Sequence, residues 1–499
     1  MTPNFFMLQK FNSDIRAFLN NFSEKYQIDL TTIVLLCLVA QHSFLIKFAG
    51  IFVLFLFHYK SLFSVSFKKI PLFYTLLPTI ELFKFFLLDS DFSKGHVVQF
   101  VIGIVYWLSS LFLCKLIYIQ TETKAVKQIE RSLKFFTLLN FIVSISQFLK
   151  ICFIEGVINP YNTGHHHPYG VSSGDLITGL LGGVHLTNVF ISLILILYYV
   201  YKRDIKFILL SLIPFLLCGS NFGSMVLLLS LGVYFLVSKE RLYVFKISSF
   251  IFLILIAFYG IITPYNAHHT FAKLESIITR KPVVDEAYQL EEDNNTLLIY
   301  QKGKKGRGQL SKSQQETVER MEKRKGMVLY DFFVMPGKKT SYTQTMNFLK
   351  SNPKYLLFGA GLGRFSSNIA FNFSGIVDNS AMHRIFPTYQ SHMFEKNHKS
   401  IYAYMKTTHV IFHSESNKPF SSYNQLLGEY GLVGFVLFFF GYVFFFIKRV
   451  DRRTYSVPIV VALLFALNLN YFFEAMNLLL FFEAIMFLNI KEKILNERV

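Results

Sequence analysis

The sequence predicts an all-α polytopic membrane protein of about twelve spans with one large extracytoplasmic loop. Three observations lead there. Apolar residues make up 53% of the 499 positions and Phe alone supplies 58, too many for an ordinary soluble domain. Apolar stretches near the ~20 residues needed to cross a bilayer recur along the chain, interrupted by a polar block from Tyr265 to Ser422. Lys and Arg fall unevenly between alternate connections, as expected when cytoplasmic loops collect positive charge. The chain divides accordingly into an N-terminal membrane bundle (1–263), a large outer loop (264–424) and C-terminal membrane helices (425–499).

Residues 4–25 place Leu8, Phe11, Ile15, Phe18, Leu19 and Phe22 at spacings of three and four, with Lys10, Arg16 and Lys25 between them. This pattern suits an amphipathic helix lying on the membrane, or a first half-buried helix of the bundle. The apolar run from Leu30 to His58 carries Lys47 near its middle and reads as two short helices, 29–46 and 48–58. Further spans are expected at 70–88, 97–119, 134–155, 175–200, 205–218, 222–238 and 244–263, then at 426–447, 456–470 and 474–490. The four cysteines (Cys37, Cys114, Cys152 and Cys218) all lie in apolar runs and read as small core residues without disulfide or metal spacing. The first apolar run begins without a small-residue cleavage site, so no cleavable signal peptide is expected.

The formal net charge is +19. One set of connections holds Lys60, Lys68 and Lys69; Lys124, Lys127 and Arg131; Lys202, Arg203 and Lys206; Lys239 and Arg241; and Lys448, Arg449, Arg452 and Arg453. The opposite set (89–96, 156–174, 219–221 and 471–473) holds only Lys94. This split puts both termini in the cytoplasm and the 265–422 loop outside. No nucleic-acid partner is expected.

The outer loop has two parts. Residues 285–326 include KGKKGRG and ETVERMEKRKG, a solvated turn and surface helix, or a cationic apron for anionic headgroups or a phosphorylated lipid. Then SYTQTMNFLKSNPKYLLFGAGLGRF reads as a helix stopped by Pro353, a short apolar strand and a glycine turn. Gly359, Gly361 and Gly363 let the backbone approach a ligand closely or adopt positive φ. No strand–turn–helix unit surrounds them, so they are not a dinucleotide fingerprint. Arg364 follows at once, and its planar, permanently charged fork suits two oxygens of a diphosphate.

His383, Arg384, His392, His398, His409, His413 and Glu415 populate the next stretch. An imidazole can act as general base toward a sugar hydroxyl, and His413 is nearest in sequence to the following helix. Ser421, Ser422, Tyr423 and Asn424 stand where the chain returns to the membrane, to line a cavity or cap the helix, with Ser422 as the N-cap. Glu429, a turn further in, is a functional candidate by default or snorkels to the interface. His165, His166 and His167 have no Cys or acidic partner at metal spacing. Asp89 and Asp91 could hold a divalent cation against a sugar diphosphate, or cap helices in a short connection.

Three segments resemble the O-antigen polymerase and O-antigen ligase superfamily of bacterial envelope proteins. LLCGSNFGSMVLLLSLGVYFL at 216–236 looks like that family's serine-arginine-glycine helix start. LKSNPKYLLFGAGLGRF looks like its glycine motif. FSSYNQLLGEYGLVGFVLFFF looks like its membrane-return motif, with Glu429, Gly431, Leu432 and Gly434 as the acidic–x–Gly–Leu–x–Gly signature.

The resemblance implies a GT-C-like fold in the bacterial inner membrane. It implies a metal-independent, inverting glycosyl transfer at the outer leaflet, without a cofactor. A glycan on undecaprenyl diphosphate would be donated to a hydroxyl of a lipid-linked acceptor, in O-antigen or capsular polysaccharide synthesis. By the same resemblance Arg364, Arg384 and Arg280 would bind the diphosphate, His413 or Glu429 would be the base, and Asn424 would orient. Gly359, Gly361, Gly363, Ser422 and Tyr423 would form the loop motif. The lipid-linked oligosaccharide, the bilayer, a chain-length regulator and a flippase are the implied partners. Asn221 follows Ser220 where the family often has Arg, and Tyr423 precedes Asn424 where it often has His. Both departures favour polymerase over ligase. A metal-dependent glycosyltransferase using Asp89 and Asp91 is a rival, as is a lipid-linked oligosaccharide flippase, although no internal repeat is evident.

The charge split makes a direct prediction. A topology reporter fused at Gly326 should be active only outside the cytoplasm, and one fused at Asp451 only inside. Cytoplasmic labelling of a cysteine placed at 326 would refute the arrangement.

Overall fold

The computed structural model describes residues 21, 25–40, 44–87, 92–162, 173–181, 184–262, 337–376, 386–402 and 418–498. Among these residues every regular element is helical and no strand occurs. The first bundle comprises α1 (Leu30–Ala40), α2 (Phe44–Ser64), α3 (Phe73–Leu87), α4 (Lys94–Thr123), α5 (Val126–Glu155), α6 (His185–Lys202), α7 (Ile205–Leu217), α8 (Asn221–Val237) and α9 (Arg241–Ala257). A cap follows, built from short helices α10 (Gly337–Ser351), α11 (Lys354–Phe358), α12 (Asn368–Phe373) and α13 (His392–Asn397). The chain closes with α14 (Ser422–Phe438), α15 (Phe444–Arg449), α16 (Ser456–Ala466), α17 (Phe472–Ala475) and α18 (Asn477–Asn496). The amphipathic pattern of 4–25 lies almost wholly outside the described residues.

Six helical stretches are long and apolar enough to cross a membrane among the described residues: 46–64, 94–123, 126–154, 185–202, 241–262 and 422–449. The protein is thus an α-helical membrane protein. Most of the other expected spans are shorter helices. The 205–218 and 222–238 stretches are α7 and α8, and 456–470 shortens to α16. The expected span at 175–200 starts late, at His185. Before it, Asn140 and Gln147 of α5 take up backbone groups that a helix would use itself. Gly179 N–H donates to Gln147 Oε1 at 2.8 Å, and Leu180 N–H donates to Asn140 Oδ1 at 3.0 Å. The expected 474–490 span is broken instead into α17 and α18 at Met476, which adopts a left-handed φ of 64°.

Two helices form the centre. Every residue of α6 from His185 to Val200, and of α18 from Leu478 to Asn489, is buried. A helix apolar over most of its surface belongs inside, and its few polar groups, such as Asn188 and Glu483, find partners there. Large side chains such as Phe63, Phe86, Leu242 and Phe440 are instead exposed on the flanks, the surface a bilayer would cover. Between α3, α4, α14 and α17 sits an aromatic knot. Phe73 packs edge-on to the single tryptophan, Trp107, at 5.3 Å, and against Phe473 at 5.3 Å and Phe438 at 5.8 Å. Trp107 Nε1–H donates to Tyr430 OH at 3.0 Å, so the buried indole is satisfied.

The basic connections meet one another. Lys134 pairs with Asp204 at 2.8 Å, Lys202 with Glu492 at 2.7 Å, and Arg449 donates to the Lys68 carbonyl at 3.1 Å. The weakly charged connections meet elsewhere. Tyr161 OH donates to Leu217 O at 2.5 Å and Asn159 to Ile262 O at 2.9 Å, while His96 stacks on Tyr389 of the cap. The buried Lys47 of α2 donates to Ala475 O at 2.9 Å, the carbonyl end of α17.

Phe73→Ala should open a void in the aromatic knot and cost about 3–5 kcal/mol, whereas Phe73→Leu should cost clearly less. Thermal melting in nanodiscs measures this, and a wild-type melt for the alanine variant would remove the knot from the list of stabilising features.

Candidate functional site

The site begins where α10 ends. Pro353, with φ −55°, preorganises a helical start, so KYLLF is α11 rather than the short strand the apolar run suggests. Gly359 ends α11 with φ +66°, and the turn continues through Gly361 and Gly363, also at positive φ. It docks on α14 where Gly431 breaks the helix with φ 64° and ψ −159°. The two backbones touch. A Cβ on Gly359 would stand 2.3 Å from the Glu429 carbonyl carbon, and one on Gly431 would stand 2.5 Å from Leu357 O.

The turn's backbone N–H groups have definite partners. Ala360 N–H donates to Gly428 O at 2.9 Å and Gly361 N–H to Glu429 O at 2.9 Å. Leu362 N–H then donates to Glu81 Oε2 at 3.0 Å. Gly363 N–H and Phe365 N–H donate to the two oxygens of Glu429 at 3.0 and 3.2 Å. Ile369 N–H donates to Glu474 Oε2 at 3.0 Å. Three carboxylates, from α3, α14 and α17, therefore grip one stretch of cap backbone. They are 2%, 0% and 5% exposed, so each bond acts with little water to weaken it. Lys84 pairs with Glu81 at 2.7 Å and donates to Glu429 O at 3.3 Å. Gln425 Nε2–H donates to Glu474 Oε1 at 2.6 Å.

A second polar layer lies beside the first. Asn424 Nδ2–H donates to Ser341 Oγ at 2.6 Å and Ser366 Oγ at 3.0 Å. Tyr342 OH contacts Ser421 Oγ at 2.6 Å and donates to Asn468 Oδ1 at 3.0 Å. Burial raises the pKa of Tyr342 and of Tyr402, so both phenols stay protonated and able to donate. Lys338, buried at the start of α10, donates to Phe420 O at 2.6 Å, Asn468 O at 3.0 Å and Leu469 O at 3.3 Å, beyond the end of α16.

The sequence-derived residues fare differently. Gly359, Gly361, Gly363, Arg364, Glu429, Asn424 and Ser422 gather in this one region. Arg364 is half-buried at the exit of the turn, and its carbonyl accepts from the Ser391 hydroxyl. Glu429 faces the cap backbone and does not snorkel. Ser422 is not the N-cap: Ser421 holds that position, while Ser422 Oγ–H donates to Asn470 O at 2.7 Å. Tyr423 turns away, donating to Leu464 O at 2.7 Å. His392 is exposed, and His398 is buried with its ring edge-on to Phe365, 4.5 Å between centroids. Arg280, Arg384, His383, His409, His413, Glu415, Asp89, Asp91, His165, His166 and His167 lie outside the described residues. Among the described residues no group of three or more His, Cys, Asp or Glu side chains could hold a metal ion.

Glu81, Glu474, Lys338 and Gln99 were missed. Glu81 and Glu474 had a signal, since each is a lone acid in an apolar run (TIELF and YFFEAM). Buried amide oxygens without a partner also gather here: Gln99 Oε1, Asn424 Oδ1 and Gln425 Oε1 have none among the described residues.

The geometry defines a class: an α-helical membrane protein whose cap of short helices is bonded to broken helices of the bundle. No family model, characterised protein or solved structure matches this chain.

Glu429→Gln tests the grip. A carboxamide sets an N–H donor against one of the two backbone N–H groups, which should cost about 1–3 kcal/mol. Limited proteolysis between 359 and 370 should accelerate in this variant while cleavage elsewhere stays unchanged. Equal protection of wild type and variant would show that the turn holds without the carboxylate.

Proposed function

We propose that the protein polymerises lipid-linked oligosaccharide repeat units by glycosyl transfer. The single observation that carries the reading is the convergence of the resembling segments. The glycine motif lies directly on the membrane-return helix through Gly359 and Gly431. The serine-led helix α8 packs Phe222 on Phe465 of α16, next to the carbonyls that hold Ser422. In this reading the acceptor hydroxyl oxygen attacks the anomeric carbon as the bond to the diphosphate oxygen breaks. The hydroxyl proton passes to a base, for which His413 is the candidate. Arg364 meets the charge that develops on the departing diphosphate. Glu429 spends both oxygens on backbone N–H groups and so acts as a positioning residue that holds Arg364 in register. Arg384 and Arg280 supply further positive charge.

The donor is a glycan on undecaprenyl diphosphate, and the reaction is metal-independent and inverting. The finer architecture belongs to the same reading: about twelve spans in a GT-C-like arrangement, in the bacterial inner membrane, with both termini cytoplasmic and the large loop outside. A flippase supplies the substrate and a chain-length regulator acts on the product.

Arg364→Ala should remove most polymer while protein level and membrane insertion stay normal. Removing one charged hydrogen bond from the transition state costs about 3–4 kcal/mol, or roughly 100- to 1,000-fold in rate. Arg364→Lys should restore activity only in part, because an ammonium loses the two-pronged geometry. The measurement is polymer amount and length on a gel beside an immunoblot. Wild-type polymer from normally expressed Arg364→Ala would remove Arg364 from the site.

A further inference from the structure

We propose that Gln99 recognises a hydroxyl of the donor sugar that adjoins the diphosphate, an assignment that rests on the glycosyl-transfer reading. Gln99 lies on α4 and is 1% exposed, in an otherwise apolar stretch of sequence, VVQFVIG. Its Oε1 has no hydrogen-bond partner among the described residues. A buried polar group left unpaired is costly, and each one calls for an explanation: strain, a catalytic role, or a water, ion or ligand that pairs with it.

The position of the carboxamide says what that partner is. Gln99 Cδ and Cγ lie 3.1 and 3.2 Å from where a Cβ on Gly363 would stand. Gly363 has no side chain, so the amide rests against bare backbone one residue before Arg364. One helical turn earlier, His96 stacks on Tyr389, 5.1 Å between centroids and 18° between planes, which closes that flank. A group that reaches Arg364 through a diphosphate carries its first sugar directly beyond the phosphate. Sugar hydroxyls can donate, and an unpaired amide oxygen accepts. A site built to pair with a hydroxyl discriminates strongly against a substrate that lacks it.

The experiment uses the full-length protein in nanodiscs and lipid-linked oligosaccharide extracted from a strain deleted for the gene. It adds synthetic donors, each lacking one hydroxyl on the sugar next to the diphosphate. Gln99→Leu should melt at or above the wild-type temperature, because a similar-sized apolar group removes the unpaired oxygen. It should lower kcat/KM about tenfold. One deoxy donor should be slow with the wild type yet no slower than the complete donor with Gln99→Leu. Gln120→Leu is the control. Gln120 lies at the far end of the same helix and also has an unpartnered Oε1. It should leave kcat/KM unchanged.

Wild-type kcat/KM in Gln99→Leu, with the wild type active, would overturn the assignment and leave the polymerase reading intact. So would a slow Gln99→Leu in which every deoxy donor keeps its full penalty, or one that fails to fold. A wild type that polymerises nothing under these conditions would remove the polymerase reading, and this assignment with it.

Discussion

The structure depends on three buried carboxylates that each hold backbone N–H groups of the cap, two of them while also pairing with a bundle side chain, Lys84 or Gln425. Glu81, Glu429 and Glu474 come from separate helices and accept N–H groups along one stretch of the cap. An unpaired carboxylate in an apolar interior is expensive, and so is an unpaired amide, and each removes the other's cost. The arrangement also sets the register. Leu362, Gly363 and Phe365 cannot slide along α14 without breaking several buried hydrogen bonds together. Arg364 lies inside that gripped run, so its place is fixed by its neighbours' backbone.

Much of the bundle was legible in the sequence, because length and apolarity are local properties. The stretches at 97–119, 134–155, 205–218, 222–238 and 244–263 all fall within or across helices found near those bounds. The glycine turn was legible in part. Positive φ at 359, 361 and 363 follows from residue type, but what those glycines approach does not. Gly359 closes on Glu429 and Tyr430, a contact set by pairing across about seventy residues of intervening chain, while Gly363 lies against Gln99 and Ile369. The grip of Glu81 was illegible for the same reason. Its N–H partner lies 281 residues away, and no periodicity encodes such a distance.

The misread pieces each turned on a contact that composition alone does not show. KYLLF is apolar and short, which suits a strand as well as a helical turn, and Pro353 decided for the turn. The 175–200 run looks like one span by composition. Polar side chains of α5 reach into its first part and take the backbone bonds instead. Ser422 has the residue type of a cap, but the backbone enters the helix one residue earlier, and its hydroxyl crosses to Asn470. Only in the 175–200 run did side chains from elsewhere override local preference; Pro353 decided KYLLF from next door, and Ser422 gave its hydroxyl to a distant carbonyl.

The lysines at the helix breaks carry a consequence of another kind. Lys338 sits on the carbonyls of Phe420, Asn468 and Leu469, and Lys47 on that of Ala475. Carbonyl ends of broken membrane helices attract cations, and dissolved ions can fill them. Here the positive charge is tethered to α10 and α2, so it cannot diffuse away whatever salt surrounds the protein. Each tether is also a mechanical link. Any movement of α10 draws on the end of α16, and any movement of α2 draws on α17, whose Glu474 holds Ile369. Cap and bundle are therefore laced together at both breaks, and a shift on one side is transmitted to the other without a mobile ion between them.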